Sequence, residues 1–286
     1  MKLAPYVRLT RLEHGFLSVI GVLAGMIAND ISHAQSIQWV LAVLVPLLTE
    51  AGLFALNDYF NIEEDKINAP NRPLVTGEIP ERHALLLGLV SLSLAYIFSL
   101  AALLINKIDS VLLITLIILS GVLYDVKIKR LGFLGNLVVS FSTASTFLYG
   151  GLLVRRIYQI NTATWIIFIT AFTSCLGREI LKGIRDYEGD KKAGVITLAV
   201  KYGLNTATHI AGALIVIAIA AALSNTLFVK NSLAYLLFVT PAVILFLLSV
   251  KMVAKAPENV ELSEKARKYT LYAMGLGLIA FLLGTI

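Results

Sequence analysis

Two short stretches of the chain carry oxygen-bearing side chains at a spacing of four residues. Asn57, Asn61 and Asp65 form the first set, and Asp186 and Asp190 form the second set. Side chains four positions apart share one face of an α-helix. Carboxylate and amide oxygens are hard ligands that suit Mg²⁺, which also binds phosphate oxygens. The two sets therefore predict a magnesium site for a phosphate or diphosphate, with all five side chains as metal ligands and the three aspartates as catalytic groups.

Basic side chains accompany both sets and are candidates for direct contacts with phosphate oxygens. These candidates are Arg72, Lys127, Arg178, Lys182 and Lys191. Lys127 is also a candidate catalytic residue. Three further side chains are candidate substrate contacts: Tyr124 ahead of Lys127, Glu179 beside Arg178, and His14 at the start of the first apolar segment.

Each of these features also has a simpler interpretation. Acids four residues apart are common on exposed helices, where they are solvated charges at a membrane surface. Two sets that are each flanked by cations favour a metal site, because like charges at this spacing repel unless a cation lies between them. Glu179 could instead form a structural ion pair, and Tyr124 could belong to an aromatic belt. Glu50, inside an apolar segment, could make a polar contact between helices.

Long apolar segments must position these side chains. The chain has 286 residues, of which 58% are hydrophobic and 15% are charged, and its mean hydropathy is +0.82. Soluble domains carry about 25% charged residues. A helix of about 20 apolar residues crosses the hydrocarbon core and satisfies its own backbone. The apolar segments are 16–34, 38–57, 84–105, 110–124, 133–153, 163–177, 206–224, 232–250 and 269–286. We predict an all-α, polytopic membrane protein with about nine transmembrane helices in one domain, residues 1–286.

The basic residues are unevenly distributed among the predicted loops. Of the 24 Lys and Arg residues, all but Lys107, Arg155, Arg156 and Lys230 lie on the side that holds the N-terminus and both acidic sets. Loops rich in Lys and Arg face the cytoplasm. This predicts a cytoplasmic N-terminus, an external C-terminus and an active site on the cytoplasmic side of the cell membrane. The pI of about 9.3 then follows from membrane topology, and nucleic acid is not an expected partner.

The two acidic stretches resemble each other. Each follows an even-numbered apolar segment and places acids four residues apart ahead of a lysine, and aligning Asn57 with Asp186 gives an offset of 129 residues. Internal duplication around a shared site is common in membrane proteins. The pattern predicts two four-helix halves plus one additional helix.

Several motifs around these residues resemble those of the UbiA superfamily of intramembrane prenyltransferases, over nearly the whole chain. The motif NDxxDxxxD matches residues 57–65, KxNxPNRPxxxG matches 66–77, YxxK matches Tyr124 and Lys127, LGN matches 134–136, and DxxxD matches Asp186 and Asp190. Within the family, residues 177–192 look most like the archaeal branch that attaches a second geranylgeranyl group to geranylgeranylglyceryl phosphate.

The resemblance implies a nine-helix bundle around a central cavity that opens laterally to lipid. It implies two Mg²⁺ ions that hold a prenyl diphosphate between the two acidic motifs, and a lipid-soluble acceptor that captures the allylic cation when diphosphate leaves. One alternative within the family is transfer to an aromatic or quinone-precursor ring. A different class of protein, a transporter of phosphorylated lipids, is also built from repeats with charges inside the membrane. The sequence does not predict an oligomeric state.

The sequence departs from the family pattern at three positions. Asn61 stands where the family's first motif has its central aspartate, and Gly183 stands at a position that is often acidic. Both changes remove negative charge from the predicted metal site. His14 occupies a position that is often asparagine in the archaeal lipid synthases.

Overall fold

The computed structural model describes residues 3–286, with the side chains of all of these except residues 67, 68, 130 and 193. Lys2, which contributes to the charge asymmetry, lies outside the described residues, as do the side chains of Asn68, Arg130 and Ala193. Across residues 3–286 every regular element is helical. The α-helices are α1 (Leu3–Thr10), α2 (Leu12–Ala28), α3 (Ser36–Phe60), α4 (Ile62–Asn68), α5 (Glu81–Leu100), α6 (Ile108–Val126), α7 (Phe133–Val154), α8 (Thr162–Arg185), α9 (Tyr187–Ala193), α10 (Leu198–Tyr202), α11 (Leu204–Ser224), α12 (Ser232–Lys255) and α13 (Val260–Thr285). Short 3₁₀ helices cover Ala101–Ile105, Ile128–Leu131, Ile157–Gln159 and Asn225–Leu227.

The described helices confirm the predicted membrane architecture. Eight of them are long and apolar enough to cross a bilayer, and α1 with α2, which meet at a bend of 50°, would make a ninth span. The first span was predicted to reach residue 34, but α2 ends at Ala28, before Asp30 with its left-handed backbone conformation. The sixth span was predicted to end at residue 177, but α8 continues to Arg185. Arg, Lys and Glu are good helix formers, so a polar composition did not end this helix.

Clustering of contacts divides the chain into two compact units. The first covers the described residues up to Val126 together with Tyr149–Gln159, and the second covers Lys127–Leu148 together with Ile160–Ile286. The expectation of one domain stays a prediction.

Small residues allow close helix packing in the first unit. A Cβ atom at Gly52 of α3 would lie 2.7 Å from the Leu92 side chain of α5, and one at Gly88 of α5 would lie 2.6 Å from Leu56 of α3. Lipid tails are as apolar as the side chains, so helices in membranes associate through such close packing rather than through the hydrophobic effect. This contact holds α3, which carries the first acidic set, against its neighbour.

Alanines have the same role in the second unit, where α8 packs against α11 and α13. Ala207, Ala211, Ala266 and Ala273 are fully buried in a core that also contains Ile180 and Ile184 of α8. The buried face of α8 therefore continues to the helix end that carries the second acidic set.

Basic residues assigned to the opposite side of the membrane form a network within the first unit. Arg155 bonds to Asp30 at 2.9 Å, and Arg156 bonds to Asp109 at 2.7 Å. Lys107 donates to the Val154 carbonyl at the end of α7, at 2.7 Å. These contacts tie the end of α7 to the loops around it.

Candidate functional site

The first acidic set lies where α3 meets the short helix α4. Asn61 is the junction, with φ −113° and ψ 17°, yet the four-residue hydrogen bonds continue through it. The Asn61 N–H donates to the Asn57 carbonyl at 3.1 Å, and the Asp65 N–H donates to the Asn61 carbonyl at 2.9 Å. The three side chains therefore lie on successive turns despite the break.

Asp58, which was not among the predicted site residues, is the most buried acid of this region, with 2% of its side chain exposed. Its carboxylate accepts hydrogen bonds from Arg11 at 2.7 Å and from Arg72 at 2.9 Å. Arg72 also forms an ion pair with Asp65. Arg72 thus bridges two buried carboxylates, and its planar guanidinium suits this arrangement.

Amide side chains complete the first set. Asn57 donates through its side-chain nitrogen to Asp125 in the last turn of α6, at 2.5 Å. Asn61 donates through its side-chain nitrogen to the Asn57 carbonyl, at 2.6 Å. Because each nitrogen donates to a protein oxygen, the side-chain carbonyl oxygen is the atom with which each residue could bind a metal.

Residues near the first set differ in exposure. Tyr124 is half-buried in α6, and Lys127 is exposed just beyond that helix. Glu63, an alternative ligand to Asn61, is exposed and pairs with Lys66 at 2.6 Å, so its carboxylate points to the surface. The exposed His14 ring instead lies 5.2 Å from the ring of Phe54.

A pocket of about 350 Å³ adjoins Asp58. Its lining residues are Arg8, Arg11, Asp58, Ala69, Pro70, Asn71, Arg72 and Pro73. Three guanidinium groups with one carboxylate make this an anion-binding pocket, since guanidinium groups bind phosphate oxygens in pairs.

The second acidic set repeats this construction. The long helix α8 ends at Arg185, Asp186 is the junction, and the seven-residue helix α9 follows, just as the seven-residue α4 follows Asn61. The Asp186 N–H donates to the Lys182 carbonyl at 3.0 Å, and the Asp190 N–H donates to the Asp186 carbonyl at 2.9 Å.

This equivalence corrects the register of the internal repeat. Asn61 corresponds to Asp186, an offset of 125 residues, and the alignment of Asn57 with Asp186 was wrong. In this register Gly183 stands opposite the buried Asp58.

A chain of charges surrounds Asp186 within the second unit. Arg185 donates to both carboxylate oxygens of Asp186, at 2.7 and 2.8 Å, and to Glu264 of α13 at 2.7 Å. Arg267 in turn binds Glu264 at 2.7 Å. Burial, followed by the nearby charge of Asp186, raises the pKa of Asp190 to about 6. The two aspartates therefore repel each other, and a cation bound here would relieve that repulsion.

The predicted cations of α8 form ion pairs with Glu179. Arg178 bonds to Glu179 at 2.8 Å, and Lys182 lies 3.9 Å from it. These contacts match the structural interpretation of Glu179, and its role as a substrate contact stays a prediction. Lys191 lies 5.6 Å from the ring centroid of Tyr187 in the same short helix.

The donors of each set fit a metal that is only partly coordinated by protein. Nowhere in the described part of the chain do three or more His, Cys, Asp or Glu side chains come together as a ready metal site. Mg²⁺ commonly binds one or two carboxylates and completes its shell with water and substrate phosphates. The carboxylate and amide oxygens of each set fit that mode of binding.

Membrane-spanning helices with acidic sets at their ends define a class of intramembrane transferase, and comparison with known proteins supplies the family. The chain belongs to the UbiA prenyltransferase family, whose sequence profile matches residues 18–271. This confirms the predicted family, fold class and prenyltransferase activity, and favours an enzyme over a transporter.

Individual relatives are similar over nearly the full chain. Digeranylgeranylglyceryl phosphate synthase of Ignicoccus hospitalis is 36% identical over 98% of this chain and 91% of its own length. A solved structure concerned with digeranylgeranylglyceryl phosphate synthase in membranes is 30% identical, with a TM-score of 0.80 over 99% of this chain and 98% of that one. A UbiA homologue from Archaeoglobus fulgidus, bound to GPP and Mg²⁺, is 20% identical and shares the fold, with a TM-score of 0.69 over 96% of this chain and 99% of that one.

Proposed function

We propose that this protein transfers a geranylgeranyl group from its diphosphate to the free hydroxyl of geranylgeranylglyceryl phosphate, in archaeal-type ether-lipid synthesis. The observation that carries the proposal is the full-length similarity to digeranylgeranylglyceryl phosphate synthases. The pocket that contains Arg8, Arg11 and Arg72 adds support, because both substrates are anionic. In the reaction the bond between prenyl C1 and the diphosphate oxygen breaks, and C1 bonds to the acceptor oxygen.

The two acidic sets bind Mg²⁺ in this proposal. The ligands are Asn57, Asn61, Asp65, Asp186 and Asp190, and two ions are expected. Bound Mg²⁺ offsets the charge that develops on the departing diphosphate, which is usually a large contribution to catalysis. The aspartates hold the cations, and the amides add neutral oxygens.

Basic and aromatic residues bind the phosphate groups and the acceptor. Arg72, Lys127, Arg178, Lys182 and Lys191 contact phosphate oxygens, with Lys127 nearest to the reacting group. Tyr124, Glu179 and His14 contact the substrates. Arg72 is already held by Asp58 and Asp65, so its position is defined before substrate binds.

A mass-resolved assay tests the proposed function. Purified protein is incubated with geranylgeranyl diphosphate, Mg²⁺ and a panel of acceptors that includes geranylgeranylglyceryl phosphate and 4-hydroxybenzoate. We expect a doubly prenylated glyceryl phosphate, complete loss of product with a chelator, and recovery when Mg²⁺ is restored. Prenylation of the aromatic ring alone would refute the proposed acceptor, and full product formation with the chelator would refute the metal requirement.

Membrane orientation follows from the charge asymmetry, and we propose a cytoplasmic N-terminus and active site. Cys175 is the only cysteine and is buried, so Cys175→Ala provides a background without reactive thiols. In that background we expect an impermeant maleimide to label Tyr158→Cys in intact cells, and Arg82→Cys only after permeabilisation. Both positions are exposed. Labelling of both positions in intact cells would contradict the proposed orientation.

Asn61 weakens metal binding in this proposal, because an amide lacks the charge and the second oxygen of a carboxylate. We expect Asn61→Asp to lower the Mg²⁺ concentration for half-maximal rate by about 10-fold, if the added charge contributes ~1.4 kcal/mol. Equilibrium binding of Mn²⁺ should tighten in parallel. Without metal the variant should melt at a lower temperature, since a carboxylate oxygen would replace the amide that donates to the Asn57 carbonyl.

Asn259→Asp is the matched control, because it adds the same charge at the exposed N-cap of α13, where Asn and Asp are equally favourable. It should leave Mg²⁺ dependence unchanged. If Asn61→Asp has the same Mg²⁺ dependence as this control, and Asn61→Ala retains full activity, Asn61 is not a ligand and Asn57 with Asp65 forms the first set.

A further inference from the structure

Glu50 is an acid in the middle of a membrane span. It lies 14 residues after the first residue of α3 and 10 residues before the last. At 1.5 Å per residue these distances are about 21 and 15 Å, so neither helix end brings the carboxylate to the membrane surface. Ionisable groups at such depth are costly and usually functional. The proposed metal and phosphate ligands do not include Glu50.

Polar and aromatic groups of two helices surround the Glu50 carboxylate. Ser18 of α2 donates its hydroxyl hydrogen bond to Glu50 Oε1 at 2.6 Å. His14 lies one turn before Ser18, and its ring contacts Phe54, which lies one turn after Glu50. The carboxylate thus lies between α2 and α3 rather than against lipid, and it is half-buried rather than sealed.

The position of Glu50 on α3 relates it to the first acidic set. Glu50 precedes Asn57 by seven residues, which is about two helical turns, so both residues lie on nearly the same face. Glu50 lies about 10 Å deeper in the span than Asn57. The face that presents the Asn57 amide therefore presents a carboxylate at the depth where a lipid-soluble substrate would extend from a bound diphosphate.

Transfer to an alcohol needs a base, because the acceptor oxygen must lose its proton when it bonds to prenyl C1. The other acids near this face are already engaged. Asp58 and Asp65 are paired with arginine, and Asp125 accepts a hydrogen bond from Asn57. The hydrogen-bond partner of Glu50 is a neutral hydroxyl, which leaves the carboxylate more basic than one paired with a guanidinium.

We propose that Glu50 is the general base of the transfer, positioned by Ser18, and that it receives the proton of the acceptor hydroxyl. The C1–oxygen bond to diphosphate breaks, the ether bond to C1 forms, and the proton passes to the Glu50 carboxylate. His14, which is exposed one turn nearer to the helix end, then returns the proton to water. This role rests on the proposed function, since only a hydroxyl acceptor requires it.

Glu50→Gln tests the role, because glutamine keeps the size and the oxygen that accepts from Ser18 but cannot take the proton. General-base catalysis contributes about 10²- to 10⁴-fold, so we expect kcat for transfer to fall by that factor. KM for the prenyl diphosphate, its equilibrium binding and the melting temperature in detergent should stay unchanged. Glu50→Asp should recover part of the rate. Glu258→Gln, which removes an exposed acid between α12 and α13, is the matched control.

Each other outcome refutes a specific claim. A Glu50→Gln protein with full kcat would refute the role, and so would one that loses prenyl diphosphate binding or melting temperature together with activity, because that pattern indicates a structural contact. Wild-type protein that binds prenyl diphosphate but transfers to no hydroxyl acceptor would refute the proposed function itself. The wild-type assay therefore separates the two failures.

Discussion

Asp190→Ala is expected to lower the transfer rate by about 10²- to 10³-fold, the usual effect of removing one electrostatic contact to a developing charge. The Asp190 carboxylate lies on the short helix α9, one turn after Asp186, and burial and that neighbour raise its pKa. A group held at this electrostatic cost fits a cation site. The initial rate at saturating Mg²⁺ and both substrates gives the effect directly.

The control for Asp190→Ala lies on the same short helix. Glu188 is exposed, and Glu188→Ala removes the same charge two residues away. It should retain nearly the full rate, and the helical content and melting temperature of both variants in detergent should match those of the unmodified protein. An Asp190→Ala enzyme that is as active as Glu188→Ala would remove Asp190 from the proposed metal ligands.

Arg72→Ala is expected to lower the free energy of unfolding by about 3–5 kcal/mol, the cost of leaving a buried charge without its partner. Arg72 binds Asp58 and Asp65, whose side chains are 2% and 8% exposed. Arg11 remains on Asp58, but Asp65 loses its ion pair with Arg72. Unfolding by SDS in mixed micelles measures the loss.

Two variants separate this electrostatic effect from a general loss of packing. Arg8 pairs with Glu78 at the surface, so Arg8→Ala should cost no more than about 1 kcal/mol. In the Arg72→Ala background, Asp65→Asn should restore part of the lost stability, because it removes the uncompensated charge. If the double variant is no more stable than Arg72→Ala, the arginine stabilises this region by packing instead.

The membrane spans and the spacing of the acidic residues could be predicted from the sequence because both depend on local physics. The length of an apolar segment determines whether it spans the hydrocarbon core, whatever its neighbours are. The spacing of Asn57, Asn61 and Asp65 places them on successive turns, and the chain keeps those turns even where α3 gives way to α4. The motifs around these residues also identified the family.

The break itself, and with it the register of the internal repeat, was not visible in the sequence. A junction at Asn61 or Asp186 leaves the four-residue spacing intact, so periodicity gives no sign of it. The polar end of α8 was missed for a related reason, since hydropathy reports where lipid ends and not where a helix ends.

Only the tertiary structure decided which charges pair. Arg11 and Asp58 are 47 residues apart, Asn57 and Asp125 are 68 apart, and Arg185 and Glu264 are 79 apart. Such contacts depend on which helix faces pack together, and helical periodicity along one segment carries no information about another. For the same reason the sequence placed Glu50 in a span, whereas packing of α2 against α3 brought Ser18 to its carboxylate.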